Sequence, residues 1–242
     1  FLSVSLRQIC EMMNIQALLD LDRELFFNLN GGGSLFMDGF MQVLTSGLTW
    51  VPLYIALVCL VVKNNETMQQ IILVVVSAAL CVFLSDVMAD LIMKPLVARY
   101  RPSNDPEIKY LVHVVNAFRG GDYGFFSAHA SNTMSLAVFF CLLVRNKTFN
   151  LFMICWSLVN CYTRIYLGLH YPLDIVCGLA WGILVGVVVY YLFYAKIYKR
   201  VSVKITYVSS QYTSTGYSLL DINIVLNVLT LTLVAALILS LI

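Results

Sequence analysis

Charge is the scarcest commodity in this sequence. Asp, Glu, Lys and Arg make up only 12% of its 242 residues, against roughly 25% in an ordinary soluble domain. Hydrophobic residues make up 60%, and the mean hydropathy is +0.85. Those proportions exclude a single soluble core of this size. A recognisable metal or redox pattern is also missing. The seven cysteines are odd in number, match no zinc or thiol–disulfide spacing, and mostly lie in apolar runs, so they read as small hydrophobes. Residues 1–30 lack a compact apolar core followed by small residues, so no cleaved leader is expected there. No internal repeat is visible, which disfavours a transporter built from paired halves. Proline is sparse, and three of the five prolines fall between residues 93 and 126.

What is present is a series of apolar blocks, each near the roughly 20 residues that cross a hydrocarbon core. The expectation is an all-α, polytopic membrane bundle of about six spans, at 42–62, 68–92, 127–144, 149–166, 172–194 and 219–241. Residues 10–30 mix Met13, Ile15, Leu18, Leu19, Phe26 and Phe27 with acids and Arg23, the pattern of an amphipathic helix at the membrane surface. Gly31 to Ser34 interrupts it. Three parts follow: an interfacial segment 1–34, a core 35–195, and a basic loop with an extra span at 196–242. Lys196, Lys199, Arg200 and Lys204 cluster directly after a span, which places that side in the cytoplasm. Residues 93–126, the 164–172 turn and both termini then face outward. Gly178, Gly182 and Gly186 form a small-residue stripe suited to close helix packing within the bundle, with dimerisation as the alternative.

The ionisable residues gather in three groups at the outward side. Asp86, Asp90 and Lys94 share one helix face and are followed by Arg99 and Arg101; Ser127 and His129 open a span; Arg164, His170 and Asp174 bracket a turn. Each group has a plain structural reading, as a helix cap, a snorkelling anchor or a helix end. Three such groups at one membrane level point instead to a site. Lys94, Arg101 and Arg164 suit a tetrahedral oxyanion, with forked guanidinium donors and one point charge. Ser127 and backbone N–H groups at a helix start add donors. Asp174, four residues after His170, is placed to orient its ring and leave the other nitrogen free to attack. His129 is then available to protonate a leaving oxygen. The set reads as phosphoryl transfer through a phosphohistidine. His113 has no such partner and reads as structural, while Arg99 and Arg119 are candidates for a headgroup or a second phosphate.

These motifs resemble the type 2 phosphatidic acid phosphatase superfamily, membrane relatives of the vanadium haloperoxidases. Its Lys-x6-Arg-Pro motif appears as KPLVARYRP, Lys94 to Pro102; its Pro-Ser-Gly-His motif as FSAH, Phe126 to His129; its Ser-Arg-x5-His-x3-Asp motif as TRIYLGLHYPLD, Thr163 to Asp174. The resemblance implies a phosphate held by Lys94, Arg101, Arg164, Ser127 and the N–H of Ala128. It also implies His170 as nucleophile, Asp174 as its orienting group and His129 as general acid, with no metal and no other cofactor. Phe126, Ala128 and Thr163 depart from the pattern, and the first two put substrate range in question.

The function so implied is hydrolysis of a lipid phosphate or pyrophosphate at the outer face of a bacterial inner membrane. Undecaprenyl pyrophosphate, phosphatidylglycerol phosphate, phosphatidic acid and a lipid A phosphate all fit. Partners are the lipid substrate and surrounding membrane lipids, without nucleic acid, with a homodimer as an open alternative. A lipid phosphotransferase uses the same residues; an anion transporter is the more distant alternative.

Overall fold

The computed structural model describes residues 6–31, 34–201 and 210–241. Eight main helices account for most of them: α1 (Leu6–Leu29), α2 (Leu35–Thr45), α3 (Val51–Lys63), α4 (Met68–Val97), α5 (Ala128–Val144), α6 (Lys147–Tyr166), α7 (Pro172–Val201) and α8 (Leu219–Leu239). No strand occurs among the described residues; two isolated backbone bridges are the nearest thing to one. The chain is thus all-α.

Five of the predicted spans each fall on one helix, and the span predicted at 42–62 is divided between α2 and α3. α4, α7 and α8 are long and apolar enough to cross a membrane; α2 and α3, joined by a short turn at Gly47–Trp50 and bent by 65°, qualify as a fourth crossing if taken together. The bend follows from Ser46, whose extended backbone (φ −72°, ψ 128°) ends one helix before the next begins. α5 has only 17 residues. α6 carries Ser157, Asn160, Thr163 and Arg164 buried inside the bundle, which lowers its hydropathy. Helices shielded by neighbours need not be apolar all round.

Local sequence sets the helix ends. Thr67 and Gln70 form a reciprocal capping box at the start of α4. Asn146 accepts from the Phe149 N–H to start α6 after the left-handed Arg145 (φ 56°) has closed α5. Pro172 opens α7. Both α4 and α7 contain a π-helical stretch, at Val87–Met93 and Val189–Tyr194. The first directly precedes Lys94, a placement common near functional sites.

α5 lies at the centre, packed on α7, α6 and α4. Phe139, Phe149, Met153, Leu53 and Leu60 are fully buried in the main core. The glycine stripe is used inside the molecule. A Cβ built on Gly178, Gly182 or Gly186 would lie 2.6, 2.6 and 2.8 Å from the carbonyl oxygens of Ser127, Ser131 and Ser135 on α5. The stripe therefore faces α5 and is not available for dimerisation.

The bundle has two polar ends. At one, Lys63 pairs with Asp221 at 3.2 Å, Asn64 bonds Asp221 and Ser218, and Thr215 bonds the Val144 carbonyl. Lys196, Lys199 and Arg200 are helical continuations of α7; Lys204 lies outside the described residues, as do Gly32 and Gly33 of the glycine-rich break. The other end holds the three motifs and the outer loop 98–127.

α1 presents an inverted surface. Ile15, Leu18, Leu21, Leu25 and Leu29 are exposed, while Asp22 and Phe26 are buried against the bundle. Its apolar stripe faces outward, as suits a helix seated among lipids. Arg23 reaches Glu107, and Asn30 bonds the carbonyls of His113, Ile165 and Tyr166. The segment expected at the membrane interface is thus also tied to the motif-bearing end.

Candidate active site

The third motif supplies the centre. α6 ends at Tyr166, Gly168 takes a left-handed turn (φ 71°), and α7 begins at Pro172. His170 sits in this turn and is 2% exposed. Its Nδ1 lies 3.7 Å from Asp174 Oδ2, within reach but beyond hydrogen-bond length. Asp174 is instead held by two other donors. Oδ2 accepts from the Tyr171 N–H at 3.0 Å, and Oδ1 accepts from Arg99 Nη1 at 2.9 Å. The predicted direct clamp of Asp174 on the ring is therefore looser than expected, because the carboxylate also serves as a helix cap and an arginine partner.

His170 Nε2 faces Arg101 Nη1 at 3.4 Å. A guanidinium donates and never accepts, so this contact requires an unprotonated Nε2. The tautomer that fits carries its proton on Nδ1, toward Asp174, and leaves the Nε2 lone pair free. Burial, the largest effect, pushes His170 down to about 4; Asp174 acts in the opposite direction, and Arg101 and Arg164 add to the lowering. His170 is therefore neutral near pH 7.

Two buried guanidiniums stand beside it. Arg101 is 9% exposed and Arg164 8%. Arg164 donates through Nη1 to Thr45 at 2.8 Å, and Arg101 donates to the Leu169 carbonyl at 3.4 Å. The Nε of each is buried without a hydrogen-bond partner, and neither forms an ion pair with a carboxylate among the described residues. Unpaired buried cations are costly, and an oxyanion between them would satisfy both. Thr45, on the α2 bend, gave no sequence signal of this role.

Lys94 stands at the rim, paired with Asp90 one helical turn earlier. A bound phosphate would compete with Asp90 for it. Ser127 is fully buried at the N-cap of α5. Its Oγ accepts from the Ala130 N–H at 3.4 Å, which leaves the hydroxyl proton free to donate. Ala128 is the first residue of the helix. His129 follows in the first turn with its side chain exposed. The structure thus brings together all eight predicted site residues at one end of the bundle. Phe126 and Ala128, the departures from the motif, pack with Ala89 in a small apolar cluster, and Phe126 also rests against Trp181.

The outer loop closes over this set. Tyr100 and Tyr123 form an antiparallel bridge, with Arg101 N–H donating to Asp122 and Gly124 N–H to Arg99. Gly124 matters for space. A Cβ there would sit 3.2 Å from Arg101 Cγ, 3.4 Å from Asp174 Oδ2 and 3.5 Å from His170 Nδ1. Arg99 is not free for a headgroup, since Asp22 and Asp174 hold it; Arg119 is bound to the Ser103 carbonyl. His113 bonds Asp38, which also accepts from Tyr166, in keeping with a structural role. No cluster of His, Cys, Asp and Glu suited to a metal ion occurs among the described residues.

Known proteins resemble this chain in family and in fold. Residues 70–198 match the PAP2 superfamily. A lipid A 4′-phosphatase of Bacteroides thetaiotaomicron is 42% identical over 170 residues, covering 69% of this chain and 75% of that protein. A lipid A 4′-phosphatase of Porphyromonas gingivalis is 36% identical over 173 residues, covering 71% and 72%. The crystal structure of Aquifex aeolicus LpxE superposes with a TM-score of 0.54 at 21% identity, over 70% of this chain and 94% of that one, and so shares the fold. With three motifs in order at one end of an all-α membrane bundle, the chain belongs to the PAP2 superfamily and is a membrane lipid phosphatase of that type.

Proposed function

We propose that this phosphatase removes a phosphate monoester from a sugar of a lipid A-type glycolipid, through a phosphohistidine on His170, at the periplasmic face of a bacterial inner membrane. One observation carries the chemistry: two buried guanidiniums without an ion-pair partner stand beside a buried histidine whose Nε2 faces Arg101. Support for the substrate comes from the two lipid A 4′-phosphatases, each matched over nearly three quarters of its length.

Arg101, Arg164, Lys94, Ser127 and the N–H of Ala128 hold the phosphoryl oxygens and neutralise charge in the transition state. The Nε2 of His170 attacks phosphorus, an N–P bond forms, and the P–O bond to the sugar breaks. His129 gives its proton to the departing oxygen. Water then attacks phosphorus, returns a proton to His129, and cleaves the N–P bond to release inorganic phosphate. Asp174 steadies the charge that develops on the His170 ring. The cations supply what a metal clamp supplies elsewhere, so no metal takes part. α1 lies in the outer interface, and the last turns of α7 face the cytoplasm.

The test is phosphate release by the purified protein in detergent with excess EDTA. The panel is a bis-phosphorylated lipid A, phosphatidic acid, phosphatidylglycerol phosphate and undecaprenyl pyrophosphate. Release from lipid A, lost in His170→Ala, is expected. Release from another lipid instead replaces the substrate; release that survives His170→Ala overturns the phosphohistidine; release that EDTA abolishes overturns the metal-free mechanism.

A further inference from the structure

The PAP2 match begins at residue 70, yet a buried acid far upstream reaches the centre of the site. Asp22 on α1 is 4% exposed. Its Oδ2 accepts from Arg99 Nη2 at 2.6 Å, and its Oδ1 accepts from the Leu173 N–H at 2.8 Å. Arg99 uses its other terminal nitrogen on Asp174. The guanidinium also lies over the Tyr171 ring, 4.1 Å from its centroid, and Tyr171 packs edge-on against Phe26 of α1. Asp22 lies outside the three motifs, and Arg99 fills an unspecified position within the first.

We propose that Asp22 is a positioning residue for hydrolysis, acting through Arg99 to set where the Asp174 carboxylate lies relative to His170. The inference rests on the phosphatase reading above. Its logic is competition for one carboxylate. Asp174 stands between Arg99 and the His170 ring, and what it gives to one it withdraws from the other. Asp22 holds the second arm of the guanidinium fork, which limits Arg99 to a single bond on Asp174 Oδ1. Oδ2 is then left to Tyr171 N–H and the ring. Without Asp22, the freed Nη2 turns to the nearest buried anion, Asp174, and a two-pronged pair forms readily between such groups. That pair draws the carboxylate off the imidazole. Asp22 also ties the second residue of α7 through Leu173 N–H, so the same side chain holds the helix that carries Asp174.

A purely structural Asp22 would only pin α1 to the bundle. The two roles separate in kinetics. Turnover and KM are measured in detergent on monodisperse protein for wild type, Asp22→Asn, Asp22→Glu, Arg99→Lys and Arg23→Gln. Arg23→Gln loosens another α1 tether, to Glu107, without touching Arg99. The expected result is a fall in kcat of roughly ten- to a hundredfold for Asp22→Asn, the scale of a small misplacement of reacting groups. KM should stay near wild type, and Asp22→Glu should keep most of the turnover. Arg99→Lys, which keeps the charge but lacks the fork, should lose kcat similarly. Arg23→Gln should keep it. Wild-type kcat in both Asp22→Asn and Arg99→Lys overturns the inference. So does an equal loss in Arg23→Gln, or a defect confined to KM. If Asp22→Asn does not fold, Arg99→Lys decides, and if both fold poorly, wild-type turnover in the surviving folded fraction overturns it. Phosphate release by wild type in the same assay tests the activity itself and is independent of the variants.

Discussion

At His170, burial outweighs the neighbouring charges in setting the protonation state. The folded protein favours the neutral ring because the 2% exposed imidazole is cut off from water, with Arg101 and Arg164 opposing its protonation further. Asp174 favours the protonated ring but does not prevail. In the proposed role of nucleophile, His170 is therefore competent well below the ordinary histidine value of about 6.5. The expected outcome is an acid limb of kcat/KM that lies below about pH 6 once the ionisation of the substrate phosphate has been allowed for. Asp174→Asn removes the one influence that raises the value, so the limb should move to lower pH while turnover falls. An acid limb at the ordinary histidine position, or one that moves upward in Asp174→Asn, would refute the assignment.

At the scale of helices, the site is built where α5 and α7 touch. Gly178, Gly182 and Gly186 let the backbones meet so closely that any side chain there strikes a carbonyl of α5. The first of those carbonyls belongs to Ser127, the cap that opens the helix carrying His129; the last, on Ser135, lies two turns deeper. Gly178→Ala and Gly186→Ala should each lower stability by about 1–3 kcal/mol, the usual range for overpacking. Only Gly178→Ala should also lower kcat, because it displaces the cap. Thermal unfolding in detergent and turnover measured side by side check this, and an equal kcat loss in Gly186→Ala would sink it. The stripe was legible in the sequence because its four-residue period is local, and the motifs were legible for the same reason. Asp22 was not. It looked like an ordinary polar residue of a surface helix, and its partner Arg99 lies 77 positions away. The same holds for Thr45, which meets Arg164 from 119 positions away, and for Gly124, whose importance lies in the space left by a missing side chain.

The whole molecule is a bundle with two unlike polar ends, and their difference bears on orientation. The motif end holds two buried cations, Arg101 and Arg164, whose Nε atoms have no hydrogen-bond partner. The opposite end holds exposed basic residues at the α5–α6 turn, Arg145 and Lys147, and on the last turns of α7. Basic residues in short loops beside a span are retained on the cytoplasmic side. Helix ends alternate consistently with that rule, since the close of α8 packs Ser240 against Gly39 near the motif end, while its start meets Lys63 and Asn64 at the other. The buried cations do not count in this argument, because they are held by the fold and not by the membrane surface. Orientation thus turns on a few exposed residues, and it is open to a direct check. In a cysteine-free background, Tyr110→Cys in the exposed outer loop should react with an impermeant maleimide on intact spheroplasts, whereas Lys147→Cys should react only after permeabilisation. The reverse pattern would place the site in the cytoplasm and force the substrate to be a lipid presented there.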